Sequence, residues 1–250
     1  VLDKPTANFS YIIVDACETN NLIDFNNTSI GATSYVWDFG NGDTNSLSNP
    51  SYSYGFSGSF PVTLVAYNGL GCTDDTVIGP ISIYPNPIIN ASSDQTSICD
   101  SSYNFTFSGS SSNTIISLWE WSFGDGNSST SNTLNTQYVY NSSGLFHPSV
   151  IAISSNGCID SLNLNPINIL NRQPISLISN PSSGCRPLTV YFDIIPSNLI
   201  SNVDWDFGDG NIISNGTNNE SNTYINNGSY NPTATVQTTS GCTQQIQLLN

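Results

Sequence analysis

Trp37-Asp38-Phe39-Gly40-Asn41-Gly42 returns as Trp121-Ser122-Phe123-Gly124-Asp125-Gly126 and again as Trp205-Asp206-Phe207-Gly208-Asp209-Gly210. Successive tryptophans are 84 residues apart both times. A fixed period of this length means one structural unit copied three times. Repeated units build surfaces and spacers more often than catalytic clefts. We expect three units near the lower end of domain size, spanning residues 1–84, 85–172 and 173–250. Each is long enough for a modest two-layer core.

Working outward from the motif, the alternation is that of a half-buried strand. Tyr35, Trp37 and Phe39 share one face, as do Trp119, Trp121 and Phe123, and then Val203, Trp205 and Phe207. Each motif strand ends in Asn41-Gly42, Asp125-Gly126 or Asp209-Gly210, which predicts a tight hairpin. A second block runs twelve residues from Phe60 to Cys72, Phe146 to Cys158 and Tyr230 to Cys242. Pro61, Pro148 and Pro232 are placed at the entrance of its strand, where a missing amide proton is tolerated. Each unit opens with an extended segment, a turn carrying its first cysteine, and another strand. Helix signals are absent. About seven short strands per unit predict an all-β chain of three immunoglobulin-like sandwiches. The joints Tyr84-Pro85-Asn86-Pro87 and Asn171 to Pro174 read as short and stiff.

Composition narrows the function. Lys4, Arg172 and Arg186 are the only basic residues against 18 acidic ones, for a formal net charge of −15. That surface repels phosphate backbones and anionic headgroups, so no nucleic acid and no direct membrane insertion are expected. No hydrophobic run is long enough for a transmembrane helix. The chain reads as an internal piece of a longer secreted, cell-surface protein. Cys72 to Pro80 and Cys158 to Pro166 are both eight residues, and each proline opens an alternating stretch, Ile81-Ser82-Ile83-Tyr84 or Ile167-Asn168-Ile169-Leu170. The same count from Cys242 reaches Asn250, so the third unit is expected to lack its last strand.

The Trp-x-Phe-Gly-[Asp/Asn]-Gly strand resembles the hallmark of PKD (polycystic kidney disease) domains. So do the block Asn49-Pro50-Ser51-Tyr52-Ser53-Tyr54, the tyrosines Tyr140 and Tyr224, and the phrase Gly184-Cys185-Arg186-Pro187-Leu188-Thr189-Val190. Arrays of this Asn-, Ser- and Thr-rich Gly-Cys kind resemble those in large surface proteins of Bacteroidetes, exported by the type IX secretion system and acting in adhesion or gliding. The resemblance implies a structural or adhesive stretch of a surface filament or stalk, acting as a rigid spacer. The alternative is a set of carbohydrate- or calcium-binding accessory modules of a secreted hydrolase. Expected partners are neighbouring repeats of the same chain, with surface polysaccharide or other surface proteins as further candidates. Asn41 and Ser122 depart from the usual Asp, and Ala16-Cys17-Glu18 lacks the Gly before the cysteine.

The residues offer little for catalysis. Trp37, Phe39, Trp121, Phe123, Trp205 and Phe207 are expected in the core rather than at a sugar site. Asp38, Asn41 and Asp43 recur in part as Asp206 and Asp209, with Asp125 alone in the second unit. Calcium takes six to eight oxygens, so turn chemistry is the expectation and calcium the alternative. Asp74-Asp75 is read the same way, and no cofactor is expected. His147 is the single histidine, which leaves no Ser-His-Asp set and no enzyme. Asp75-Thr76-Val77 and Asp160-Ser161-Leu162 resemble the Bacteroidetes O-glycosylation triplet, with Thr76 and Ser161 as acceptors.

Six cysteines, two per unit, predict disulfides in a secreted chain. Pairing within units would give Cys17–Cys72, Cys99–Cys158 and Cys185–Cys242. In an immunoglobulin-like sandwich, however, the turn before the second strand and the turn after the sixth lie at opposite ends. A strand of about seven residues spans roughly 23 Å, whereas bridged Cα atoms lie within about 7 Å. Head-to-tail stacking favours Cys17 with Cys158 and Cys99 with Cys242, leaving Cys72 and Cys185 for neighbouring units. Intra-unit pairing remains the alternative.

Overall fold

The computed structural model describes residues 3–99 and 102–248; Asn250 lies outside them. In the first unit, β1 (Phe9–Ile13), β2 (Ile23–Asn27) and β5 (Ser51–Tyr52) form one sheet in the order β1-β2-β5. The facing sheet has β3 (Ser34–Asp38), β4 (Thr44–Asn45), β6 (Gly58–Tyr67) and β7 (Thr73–Ile83) in the order β4-β3-β6-β7. The second unit repeats both sheets. One is β13-β10-β8, from β8 (Ile89–Ser93), β10 (Asn104–Ser111) and β13 (Asn135–Val139). The other is β12-β11-β15-β16, from β11 (Ile116–Ser122), β12 (Ser128–Ser131), β15 (Ser149–Ser154) and β16 (Ile159–Asn163). A small third patch, β14-β17-β9, joins β9 (Ser97–Ile98), β14 (Gly144–Phe146) and β17 (Ile167–Ile169).

The third unit has β18-β19-β22, from β18 (Ser176–Asn180), β19 (Leu188–Ile195) and β22 (Asn219–Tyr224). Facing it is β21-β20-β23-β24, from β20 (Ile200–Asp206), β21 (Ile212–Gly216), β23 (Thr233–Thr238) and β24 (Thr243–Gln247). A 3-10 turn at Ser197–Leu199 is the only helical element among the described residues. The chain is three tandem all-β immunoglobulin-like sandwiches.

The motif strand sits at the centre of the four-stranded sheet in every unit. Its apolar face meets the other sheet, and Trp37, Trp121 and Trp205 are at most 2% exposed. Phe39, Phe123 and Phe207 are buried beside them, and each unit has its own core cluster. Losing an aromatic ring of this kind to alanine costs about 3–5 kcal/mol. The indole N–H of Trp37 donates to the Leu47 carbonyl (2.8 Å) and that of Trp205 to the Thr217 carbonyl (2.9 Å). Trp119 fills the end of the second core, stacked on Trp121 with centroids 6.2 Å apart.

Two local expectations are corrected. The hairpins after the motif are wider than two residues, because the Phe39 N–H reaches the Asp43 carbonyl, Phe123 that of Asn127 and Phe207 that of Asn211. Both glycines of each loop take positive φ, so the loop needs two left-handed positions rather than one tight turn. Pro61 is not at a strand entrance but inside β6, where the pairing with β7 shifts register between Phe60 and Val62. Pro148 and Pro232 directly precede β15 and β23, at the strand entrance as expected.

Candidate functional site

The loop after each motif strand is closed by the same three-way network. In the second unit Asp125 Oδ1 accepts from the Asn127 backbone N–H (3.0 Å), and Oδ2 accepts from the Asn127 amide (3.1 Å) and the Tyr138 hydroxyl (2.5 Å). In the third unit Asp209, Asn211 and Asn222 make the equivalent set. In the first unit the two loop residues are exchanged. Asn41 Oδ1 accepts from the Asp43 N–H, while Asp43 Oδ2 accepts from Asn41 and the Tyr52 hydroxyl. Asn41 therefore does not lose the carboxylate of the motif; it moves it two positions on, to Asp43. Burial raises the Asp125 pKa, but the hydrogen bonds from Tyr138 and Asn127 outweigh it and hold the carboxyl below its ordinary value.

The oxygen atoms that suggested calcium also take part in turn hydrogen bonds. Asp38 and Asp206 each accept from the backbone N–H two residues on, at 2.8 and 2.9 Å. Among the described residues no group of three or more His, Cys, Asp or Glu is arranged to hold a metal. Asp74-Asp75 lies within β7 and not in a turn. Asp74 pairs with Lys4 at 2.5 Å and accepts from the Ala7 N–H, which pins the opening segment to the sheet. The Lys4 and Ala7 hydrogen bonds lower the Asp74 pKa. His147 is exposed, and its backbone backs onto the loop at Gly124. Thr76 is half-buried opposite Leu64, whereas Ser161 is exposed opposite Ile151.

A second recurrent device anchors the loop from behind. The hydroxyls of Tyr54, Tyr140 and Tyr224 donate to the carbonyls of Phe39, Phe123 and Phe207 at 2.8, 2.8 and 2.9 Å. Burial raises the pKa of all three phenols. The sequence singled out these tyrosines only as a family trait. Tyr52 was read only as part of the block around Tyr54, and its counterparts Tyr138 and Asn222, two residues before Tyr140 and Tyr224, were missed, though the fixed offset is a readable signal.

The cysteines sit at opposite ends of each unit. The second cysteine closes the turn after β6, β15 or β23, directly before the next strand. That turn closes by a hydrogen bond from the N–H of Asn68, Ser154 or Thr238 to the cysteine carbonyl. Gly71, Gly157 and Gly241 take φ of +89°, +87° and +92°, the left-handed conformation that turns the chain back into the next strand at the cysteine. The side-chain oxygens of Asn68, Ser154 and Thr238 accept from the cysteine N–H. The first cysteine lies beside the strand that leaves the unit. Cys17 bridges in parallel to Tyr84, and β9, just before Cys99, pairs in parallel with β17.

The exit of one unit thus meets the turn of the next. Cys17 is disulfide-bonded to Cys158 with Cα atoms 5.5 Å apart, and Cys99 to Cys242 with Cα atoms 5.6 Å apart. Cys17, Cys158 and Cys242 are buried. Cys72 is a half-buried free thiol and Cys185 an exposed one. Polar contacts reinforce the first joint. The Asn86 amide donates to Thr19 Oγ1 (3.1 Å) in the first unit and to the Ile159 carbonyl (3.2 Å) in the second. The Asn86 carbonyl accepts from Asn113 (2.8 Å). At the second joint the Gln244 amide donates to the Gln173 carbonyl (3.1 Å).

No curated protein matches the chain significantly. Among solved structures it is similar to the PKD1 domain of the Vibrio cholerae metalloprotease PrtV, at 31% identity over 31% of this chain and 94% of that one, with a TM-score of 0.28. The PKD1 domain of Vibrio anguillarum Epp is similar at 31% identity, over 31% and 90% of the two chains, with a TM-score of 0.28. A tetra-tandem repeat from the extending region of a large adhesion protein is similar at 13% identity, over 99% and 74%, with a TM-score of 0.28. The PKD domain profile matches residues 3–82, 84–169 and 171–249, so the chain belongs to the PKD domain family and carries it in three tandem copies.

Proposed function

We propose that this chain is a load-bearing spacer in the extracellular part of a long bacterial surface protein, a filament or stalk that carries a distal binding region away from the cell. PKD-type domains are non-catalytic modules. The reading rests on one observation, the pairing of cysteines across both joints. The two covalent loops, 17–158 and 99–242, overlap, so nearly the whole array lies inside them. A buried staple and a proline joint leave little room for interdomain swing. Paired cysteines also fit an oxidising compartment.

The finer parts of the proposal are these. The units divide at residues 84 and 172. Cys72 and Cys185 bond to neighbouring units by the same offset, as Cys17 and Cys158 do. The parent is an adhesin of the kind that Bacteroidetes export for attachment or gliding, as the Gly-Cys, Asn-, Ser- and Thr-rich character of the array suggests. Of the two candidate glycosylation acceptors, Ser161 is the accessible one and Thr76 is half-buried.

Overlapping loops make a mechanical prediction. When the two ends are pulled apart, the shortest covalent path crosses Cys17 to Cys158, runs back to Cys99, and crosses to Cys242. The oxidised array therefore extends to about a third of its reduced contour length, at roughly 3.5 Å per residue. Single-molecule stretching with and without reductant tests this. Equal contour lengths in both states would contradict a load-bearing role.

A further inference from the structure

The two joints are built differently around their staples. At the first, the backbone around Cys17 is held by its neighbours. The Cys17 N–H donates to Asp15 Oδ1 (2.8 Å), the Cys17 carbonyl accepts from the Asn21 amide (3.1 Å), and the Glu18 N–H donates to the Tyr84 carbonyl (2.9 Å). Asn21 is itself buried, and it both donates to the Tyr54 carbonyl and accepts from the Tyr54 N–H, which locks the turn to the core. Asn86 spans this joint through Thr19, Ile159 and Asn113. Both sulfurs belong to buried residues, with Cys17 7% and Cys158 1% exposed. At the second joint these devices change. Tyr84 and Leu170 correspond, since their N–H groups donate to the carbonyls of Ala16 and Ile98, the residues before Cys17 and Cys99. Two residues on, Asn86 is therefore replaced by Arg172, an exposed cation. Four residues after Cys99, Tyr103 stands in place of Asn21, and its hydroxyl donates to Asp94 (2.9 Å). Cys99 is half-buried and lines a cavity of about 250 Å³ with Asn141, Ser142, Ser143 and Arg172. Its partner Cys242 is 0% exposed.

We infer that the cavity at Cys99 is a thiol-exchange site, which takes a small thiol bearing a carboxylate and opens the second staple while the first stays closed. The inference rests on the cross-joint pairing that carries the proposed spacer. Exchange needs an attacking thiolate to reach one sulfur of the bond. Cys99 offers that access and Cys242 does not, so attack falls on Cys99 Sγ. The incoming sulfur bonds to Cys99 as the Cys99–Cys242 bond breaks, and the electron pair leaves on Cys242 Sγ, which takes a proton from water. A second thiolate then displaces Cys99 and carries the first away as a small disulfide. Two small thiols are oxidised and two cysteines reduced. Arg172 sets the preference for an anionic thiol, because it is one of three basic residues in a chain of net charge −15. Asn141, Ser142 and Ser143 supply polar groups for the carboxylate. The outcome is an ordered release. The third unit gains freedom to swing, and the first two remain stapled.

The test exposes the oxidised 250-residue chain to mercaptoacetate or to mercaptoethanol, quenches aliquots with an alkylating agent, and maps the cysteine peptides by mass spectrometry. The second staple is expected to open at least about tenfold faster than the first with mercaptoacetate, and the trapped mixed disulfide is expected on Cys99. Arg172→Gln, a change at an exposed side chain, should lower the ratio of mercaptoacetate to mercaptoethanol rates at Cys99 by about threefold at low salt and leave the first joint unchanged. At about 1 M salt that difference should vanish. Equal opening rates at the two joints, a mixed disulfide on Cys242, or a rate ratio indifferent to Arg172→Gln would each overturn the proposal. The map taken before any thiol is added separates this from the spacer reading. A chain without the Cys99–Cys242 link removes that reading and the proposal together, whereas an intact link with equal rates removes the proposal alone.

Discussion

Cys17 and Cys158 belong to different units and are 141 residues apart in sequence, yet their Cα atoms are 5.5 Å apart. The contact follows from where each unit puts its cysteines. The first stands beside the exit strand, and the second closes a turn at the far end. Any two units stacked head to tail bring such a pair together, and Cys99 with Cys242 is the second instance. The geometry needs no specialised interface, only a joint short enough to keep the ends in contact.

The exchange of Asn41 and Asp43 relative to Asp125 and Asn127 predicts compensation. Asn41→Asp alone places two carboxylates in one loop, and Asp43→Asn alone leaves none to receive the Tyr52 hydroxyl. Each single change is expected to destabilise the first unit by about 1 kcal/mol. The double change restores the arrangement of the other units and recovers most of the loss. Thermal unfolding of the four variants checks it, and additive losses would refute it.

Asp125 ties the same network to pH. Its folded pKa is depressed, so its contribution is present above the ordinary carboxylate value and is lost as pH falls through the lowered one. Asp125→Asn should weaken the second unit near neutrality and flatten that acid loss. Acid titrations followed by tryptophan fluorescence read the difference.

Tyr54, Tyr140 and Tyr224 give the opposite sign. Burial raises their pKa, so their neutral phenols stabilise the fold fully below pH about 10, and that contribution fades as pH rises above it. Tyr140→Phe should cost the second unit about 1–2 kcal/mol by removing the bond to the Phe123 carbonyl. It should also reduce that unit's sensitivity to alkali. Unfolding at pH 8 and pH 11 separates the two effects.

The two glycines of one loop should differ sharply. Gly124 and Gly126 both have positive φ, at +82° and +93°. A Cβ at Gly124 would sit 2.5 Å from the His147 backbone nitrogen, whereas one at Gly126 meets nothing within 4 Å. Gly126→Ala is expected to cost about 1–2 kcal/mol from backbone strain alone, and Gly124→Ala clearly more. Equal melting temperatures for the two variants would contradict the close packing of the loop on His147.

Much of this architecture is legible in the sequence because the period repeats the same physical demands. The alternation around Trp37, Trp121 and Trp205 gives the buried face, and Gly71-Cys72, Gly157-Cys158 and Gly241-Cys242 mark the turns. The loop networks were hidden because they couple a turn residue to a side chain nine to thirteen residues on, on another strand. Asn41 looked like a lost ligand because the motif was read position by position. The bulge at Pro61 was hidden too, since a proline inside a strand and one at its start look alike in one dimension. Asp74 was read as a turn residue because two adjacent aspartates favour turns, yet its strand position is set by pairing with β6.

The central claim is that the joints are covalently stapled between units, and non-reducing peptide mapping by mass spectrometry of the natively purified array tests it most directly. Cys17 linked to Cys158 and Cys99 linked to Cys242, with Cys72 and Cys185 outside both pairs, is the predicted result. Cys17 linked to Cys72, or Cys99 to Cys158, would contradict it and make the units independent beads.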